Sequence, residues 1–490
     1  MNFKKIISSL SLPAFVLFFA LSSNSPSALA TIYPKAANTE VVYLGSGPAA
    51  VAAVNQVVSE TQTSFNAIFS TWQVDTVGSA FIRTLRTLAN RKIKITAIYD
   101  TGATGIETNH DFSGEAAALI ADSTLARPAH VITATTIDKF ESGLAFDDYI
   151  HEKMIILDAG TPNMRIIVQG GNWTDTASEF VDCYFMLRPI QPTLPWVGEN
   201  IFNYYRRTWS QYSKIFSAAP TQKPSAELLS RFQSYAAYTL PYTDQQKQYA
   251  HTMQVIHQGP AVVRNLDSIQ FQPKSVQFVT NDLLENAVKH LDHDSVSRLN
   301  YPDDISKIIN QKIAASQSIL LANYGGEYNA RLKAMLQKTI ANPEKEIELV
   351  TNGPDAFEKI APAGSEFAVA MLATAWAMTV EQLEGYLEIA APHQNLKVSL
   401  SNRYRHMKLG IADNTVWSGS ANLTVASSTK NGELMFFYED KELAKFMRAE
   451  IQQELKSATF FELSLAQAKD WVSHINWGNR VLSVLLNQYQ

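Results

Sequence analysis

Apolar positions along this chain switch repeatedly between a period of two and a period near 3.6. Residues 41–44, Val-Val-Tyr-Leu, form a short apolar run closed by a glycine/proline turn, which predicts a buried strand. A helical stripe follows over 49–58, then a strand-like run over 67–72. A second helical stripe covers 81–89, and a strand covers 93–99. The same order returns later: a strand at 276–279, a helix at 305–314, a strand at 318–324, a helix around 331–336 and a strand at 347–351. In this alignment Val41 matches Val276 and Ile68 matches Ile319, with loop insertions absorbing the drift. Strands that alternate with helices predict α/β layers. The expected fold is therefore α/β with two similar lobes, each a mixed β-sheet flanked by helices, related by a pseudo-two-fold duplication.

Between Pro189 and about Pro273 the pattern fits neither lobe. Pro192, Pro195, Pro220, Pro224 and Pro241 interrupt it, and Trp196, Phe202, Tyr204, Tyr205 and Trp209 crowd into it. A connector with some helix is expected, its aromatics serving as interior packing rather than as a ligand-facing cleft. The first thirty residues stand apart. Lys4 and Lys5 precede an apolar run from Ile6 to Leu21, and Ala28-Leu29-Ala30 gives a small-x-small cleavage pattern. A cleaved signal peptide and a secreted or periplasmic protein starting at Thr31 are expected. The run is short for a membrane anchor and contains Pro13. No later stretch reads as a membrane span, so a soluble mature protein is expected. The expected division is 1–30 signal peptide, 31–190 first lobe, 191–270 connector with helices and 271–490 second lobe.

Net charge is −5. Proteins that grip long nucleic acid carry a basic excess, because phosphate neutralisation dominates that affinity, so nucleic acid is the less expected partner. Cys183 is the only cysteine, which excludes an intrachain disulfide. It lies in an apolar segment and is expected to be buried.

The candidate chemistry sits late in each lobe. In the second, His406-Met407-Lys408 places imidazole and ammonium on one strand face, and Asp413-Asn414 marks a hairpin turn. The return strand runs to Gly419-Ser420-Ala421-Asn422, bringing a hydroxyl and an amide back toward the His/Lys pair. Asn431-Gly432-Glu433 follows. The first lobe repeats the string as His151-Glu152-Lys153 with Asp158 at the same spacing. It returns through Arg165 to Gly170-Gly171-Asn172. Asn172 matches Asn422, and Asp182 matches Glu433. Asp158 and Asp413 suit structural turn positions better than catalysis.

The paired His-x-Lys-x4-Asp string resembles the signature of the phospholipase D superfamily, and the resemblance covers roughly 40–190 and 271–460. It implies two lobes packed so that both motifs meet at one active site that works without a metal or cofactor. It also implies His151 as nucleophile and His406 as acid/base. The first motif departs from the pattern: the stretch from Asp158 to Asn172 is long, and Gly170 stands where a serine or threonine is usual.

The chemistry of those groups suits a phosphodiester. Neutral imidazole can attack phosphorus and imidazolium can protonate the departing alcohol, both near pH 7. A phosphohistidine would split the reaction into two easier steps. Lys153, Lys408, Asn172, Asn422 and Ser420 would stabilise charge on the phosphoryl oxygens. Glu433 and Asp182 are candidates to bond the far ring nitrogens and fix the tautomers. The expected function is a phospholipase D that hydrolyses phospholipid head groups, with possible transphosphatidylation. The expected protein is a monomer with a phospholipid or other phosphodiester substrate and transient contact with a membrane surface. The alternatives are a secreted nuclease, a cardiolipin-synthase-like transferase, or a scaffold whose first motif has decayed.

Two other patterns compete for attention. Gly45-Ser46-Gly47-Pro48-Ala49-Ala50 mimics a dinucleotide fingerprint, but no acid ends the next strand. His290, Asp292, His293 and Asp294 read as a solvated loop rather than a metal site. Asp100 and the segment His110-Asp111-Phe112 are expected near a strand end that borders the pocket.

Overall fold

Both halves of the chain build the same sheet. The protein, seen in a computed structural model, is described over residues 31–69, 72–100, 112–134, 150–173, 182–237, 269–281, 303–323, 328–354, 356, 366–402, 405–424, 432–457 and 459–475. After β1 (Thr31–Ile32), the first lobe contributes β2 (Thr39–Gly45), β3 (Ser64–Phe69), β4 (Lys94–Asp100), β5 (His130–Ala134), β6 (Met154–Leu157), β7 (Arg165–Gln169) and β8 (Tyr184–Pro189). With β9 (Gln270–Phe271) they order as β5-β4-β3-β6-β7-β8-β2-β9. The second lobe contributes β10 (Ser275–Asn281), β11 (Ser318–Asn323), β12 (Glu346–Asn352), β13 (Leu396–Ser401), β14 (Lys408–Ala412), β15 (Thr415–Gly419), β16 (Glu433–Glu439) and β17 (Phe460–Glu462). With β1 they order as β1-β10-β16-β15-β14-β11-β12-β13-β17. The run β13-β12-β11-β14-β15-β16-β10 repeats β5-β4-β3-β6-β7-β8-β2 strand for strand. In each lobe three parallel strands meet an antiparallel hairpin at the strand that follows the histidine. The α/β duplicated fold is therefore present in both halves.

Strand alternation sorts the side chains into layers. Phe65, Ala67 and Phe69 of β3 face an outer core with Val54, Phe81 and Leu85 of helices Gly47–Ser59 and Thr76–Asn90. Ile68, between them, faces the opposite way. It enters a core shared by both sheets with Ile98, Phe185, Leu320, Ala322, Val350 and Phe436. Ile319 and Leu321 of β11 point outward to Ile309, Leu332 and Leu383 of helices Asp304–Ala315, Ala330–Ile340 and Glu366–Ala390. The result is helices, sheet, sheet, helices, with the two sheets face to face. Truncating Leu320, fully buried in the middle layer, to alanine should cost about 2–5 kcal/mol.

Register corrects the sequence alignment. Ile68 lies opposite Met154 and Ala322 opposite Leu409, so Ile68 corresponds to Ala322 and not to Ile319. The polar start of β3 hid its beginning: the strand covers Ser64–Phe69, and Trp72 lies beyond it in a bridge to Trp173. The lobes also exchange edges. Thr31 and Ile32 pair with Thr280 and Val279 of the second sheet, whereas Phe271 and Gln270 pair with Val41 and Val42 of the first. Sheet membership therefore crosses the boundaries drawn at 31 and 271.

The connector supplies helix Val197–Ile215, and its aromatics are packing residues. Trp196, Tyr204 and Tyr205 are buried in the shared core, with Phe202 and Trp209 against it. Cys183 is buried in the same core, its Sγ 3.1 Å from Ser418 Oγ of the other lobe. The dinucleotide-like glycines do close a strand and open a helix. That strand, β2, is however antiparallel to both of its neighbours, unlike the first strand of a doubly wound parallel sheet. Residues 1–30, His110, Asp111, Asn431 and the 290–294 cluster lie outside the described residues. Among those described, no helix is long and apolar enough to cross a membrane.

Candidate active site

The two motif strands, β6 and β14, each begin just after the histidine of their motif, and the two histidines meet between the lobes. His151 and His406 are both buried, their ring centroids 6.5 Å apart and their planes at 76°. A phosphoryl group attacked from about 3 Å on one side, with its leaving oxygen about 3 Å from an acid on the other, spans about that gap.

Each histidine is held by a carboxylate of the opposite lobe. His151 Nδ1 donates to Glu433, 2.9 Å from Oε1 and 3.0 Å from Oε2, and the His151 backbone N–H donates to Gly432 O at 3.0 Å. His406 Nδ1 lies 3.2 Å from Asp182 Oδ2. A single lobe thus carries a histidine and the acid for its partner's histidine, so neither lobe completes a site alone. The sequence paired these acids with the histidines in general terms; the crossing appears only in the packed molecule.

The other residues divide into those near the imidazoles and those away from them. Lys153 Nζ donates to His151 O at 2.8 Å. Lys408 Nζ donates to His406 O at 2.6 Å and sits 2.8 Å and 2.9 Å from that ring's two nitrogens. Ser420, expected to face the phosphate, gives its hydroxyl to Glu433 and receives Leu434 N–H at 3.0 Å. Its visible partners thus orient the acid. Asn172 and Asn422 follow the ends of β7 and β15. Asn172 Oδ1 is buried with no hydrogen-bond partner among the described residues, an acceptor that the hydroxyl of an incoming water or alcohol could satisfy.

Asp158 and Asp413 sit at the other end of the strands. Both adopt left-handed backbone, φ 52° and 48°, which aspartate tolerates in turns. Asp158 Oδ1 accepts Gln62 and Thr63 N–H at 2.8 and 2.7 Å, and Asp413 Oδ1 accepts Gln317 and Ser318 N–H at 3.1 and 2.9 Å. They tie the motif hairpins to the start of the neighbouring parallel strand.

Gly170, the departure from the usual pattern, has a steric reason. A Cβ there would run into Asp182 Oδ1 and lie 2.6 Å from Oδ2 and 2.8 Å from Cγ. The Asp182 carboxylate, pinned by Cys183 N–H at 2.8 Å, occupies the space a serine side chain would take. The Gly170 backbone also hydrogen-bonds His406.

Burial and charge set the protonation states. Burial, reinforced by Lys153, pushes His151 down to about 4 against the pull of Glu433. Burial, with Lys408 and Lys153, holds His406 well below the imidazole range. Burial pushes Asp182 up to about 7, opposed by Lys408. Burial works against ionised Glu433 too, but His151, Lys153 and Ser420 outweigh it and hold its pKa down. Lys408 is pushed down to about 8 by burial, and Lys153 well below its ordinary range by burial and Lys408. The site therefore gathers two buried lysines and two imidazoles around two buried acids, and an entering anion would favour the protonated forms of the nitrogen groups.

Residues 308–455, which include His406, Lys408, Ser420 and Glu433, match the family described as cardiolipin synthase, phospholipase D-like domain. That match covers the second motif and its lobe, which are similar to the phospholipase D superfamily. Members of that superfamily act on phosphodiester bonds, and this chain carries the His-x-Lys-x4-Asp string twice. No curated protein matches the chain by sequence. Among solved structures, a phosphatidylserine synthase from Haemophilus influenzae superposes with a TM-score of 0.59 at 10% identity, covering 92% of this chain and 94% of that one. That likeness is one of fold. A polyphosphate kinase from Porphyromonas gingivalis (TM-score 0.42, 10% identity, 90% of this chain and 51% of that one) and the phospholipase D family member Nuc from Salmonella typhimurium (TM-score 0.23, 17% identity, 32% and 90%) overlap more loosely.

Sequence reasoning missed two features of this site. Glu152, between His151 and Lys153, is buried and accepts a hydrogen bond from Tyr204 of the connector helix. The Gly432 backbone seats His151 from the other lobe. A charged residue between His151 and Lys153, just before an apolar strand, was the one available signal for Glu152.

Proposed function

We propose that the protein is a phospholipid-directed phosphodiesterase working through a covalent phosphohistidine. The observation that carries this reading is the crossed pair of histidine–carboxylate bonds around rings 6.5 Å apart. His151 Nε2 attacks phosphorus, and its Nδ1–H leans on Glu433, which stabilises the positive charge the ring acquires. The P–O bond to the leaving alcohol breaks, and that oxygen takes a proton from the Asp182–His406 pair. Asp182, protonated up to about pH 7, stores the proton beside a neutral His406. An arriving phosphodiester anion favours its transfer onto the imidazole. Lys153 and Lys408 offset charge on the non-bridging oxygens. In the second step His406 takes a proton from an incoming hydroxyl, whose oxygen displaces His151 from phosphorus.

That hydroxyl can belong to water or to an alcohol. Hydrolysis gives a phospholipase D. Transfer gives a synthase, a reading favoured by the cardiolipin-synthase description of the matched family and by the synthase among the structures of the same fold. A phospholipid substrate accords with both. The leader-like residues 1–30 support export to the periplasm or beyond, which sequencing the N-terminus of the mature protein would check against Thr31.

The test is product analysis. Vesicles of phosphatidylcholine, phosphatidylethanolamine or phosphatidylglycerol are incubated with the enzyme, with and without glycerol or serine, and plasmid DNA is assayed in parallel. Phosphatidic acid or an exchanged phospholipid, absent with His151→Ala, supports the reading. Cleavage of DNA with intact vesicles would replace the lipid substrate by nucleic acid.

A further inference from the structure

Glu152 is a buried carboxylate that the proposed chemistry leaves without a task. Its counterpart in the second motif is Met407, also buried, so the motif's chemistry does not demand an acid here. Burying a carboxylate is costly unless it is partnered. Tyr204 on helix Val197–Ile215 donates its hydroxyl to Glu152 Oε1. The Tyr204 ring meets Tyr33 of the N-terminal segment at 6.5 Å and Phe278 of β10 at 5.5 Å, and Arg207 lies over it at 5.6 Å. Tyr204 therefore joins the connector, the N-terminal segment and the second lobe to one residue of the first motif.

Glu152 also lies beside the backbone that seats His151. A Cβ at Gly432 would stand 3.6 Å from Glu152 Cδ and Oε1, ordinary contact distance, so the carboxylate lies within a methyl's reach of the Gly432 backbone. Gly432 O receives His151 N–H, and the next residue, Glu433, holds the ring. Lys153 follows Glu152 directly in the chain, just before β6 begins at Met154. The charged groups that act on it are Lys408, which opposes its ammonium form, and Glu433, Asp182 and Glu152, which favour it.

We propose that Glu152, oriented by Tyr204, is a positioning residue that sets a buried negative charge next to Lys153 in the chain and braces the Gly432 segment on which His151 is seated. The role rests on the phosphodiester reading of the site. It makes the first motif dependent on the connector helix, a dependence the second motif, with Met407, does not share.

The experiment is a titration of the full chain carrying 13C at the lysine ε-carbon, with the Lys153 signal identified by its loss in Lys153→Met. Glu152→Gln keeps the shape and removes the charge. The Lys153 midpoint should fall by about one pH unit, and Tyr204→Phe should lower it by a smaller step. A midpoint unchanged in Glu152→Gln overturns the assignment. If that variant does not fold, Tyr204→Phe decides: a lowered midpoint supports the role and an unmoved one removes it. The titration needs no substrate, so it fails separately from the chemistry. A shifted midpoint in a protein that turns over no phosphodiester would support the positioning role and sink the phosphodiester reading. An unmoved midpoint in an active enzyme would do the reverse.

Discussion

Gly170 makes room for Asp182: any side chain at the glycine would collide with the carboxylate that holds His406. The second lobe solves the same position differently, with Ser420 bonding Glu433 through its hydroxyl. The two motifs are therefore not interchangeable, although their strands match one for one. Gly170→Ser, which restores the usual residue type, should push Asp182 off His406. The expected outcome is a fall in kcat of about 10²-fold, the scale of losing a well-placed acid, with the melting temperature lowered only slightly. Steady-state kinetics beside thermal unfolding check this, and unchanged kcat would show that Asp182 has room to move.

The pH profile follows from the two buried pairs. His151 must be neutral to attack, and burial holds it down to about 4. The activity kcat/KM should therefore rise as pH climbs through about 4 rather than through the ordinary imidazole range. The departing alcohol needs the proton of the Asp182–His406 pair, retained up to about 7, so activity should decline as pH climbs past that value. In Asp182→Asn only His406 can hold the proton, and its own affinity is well below the ordinary range. The alkaline limb should then move to lower pH. A pH series of kcat/KM on both proteins measures it, and identical alkaline limbs would remove Asp182 from the proton path.

Chelation should leave the enzyme working. Lys153 and Lys408 supply positive charge beside both imidazoles, the place a catalytic divalent ion would otherwise take. Turnover in millimolar EDTA should match turnover without it. Loss of activity that zinc restores would contradict the metal-free reaction.

Much of the fold was legible because the apolar period is strong. The helices at 49–58 and 305–314 and the strands at 93–99 and 347–351 all appear within a few residues of their expected positions. The misplaced start of β3 reflects polar Ser64 and Asn66 inside a real strand, where Asn66 is stabilised by Thr96 and Ile156. Exchanged edge strands leave no periodic trace, since β1 and β9 are two residues each. In the site, the His/Lys strings could be read from spacing alone. The crossing of Glu433 to His151 and Asp182 to His406 could not, because it arises from packing two lobes whose acids lie hundreds of positions from their targets. Ser420 was expected at the phosphate because only its strand face was known, not the carboxylate it meets.

The central claim is that both histidines act on one phosphorus, His151 covalently. A phosphodiester labelled in its phosphate, mixed rapidly with the enzyme and quenched in alkali, followed by peptide mapping, addresses it most directly. The account predicts acid-labile label on the peptide containing His151, absent in His151→Ala and accumulating in His406→Ala when the leaving group is a nitrophenolate that needs no proton. Label on His406, or turnover of labelled substrate that never marks either histidine, would contradict it.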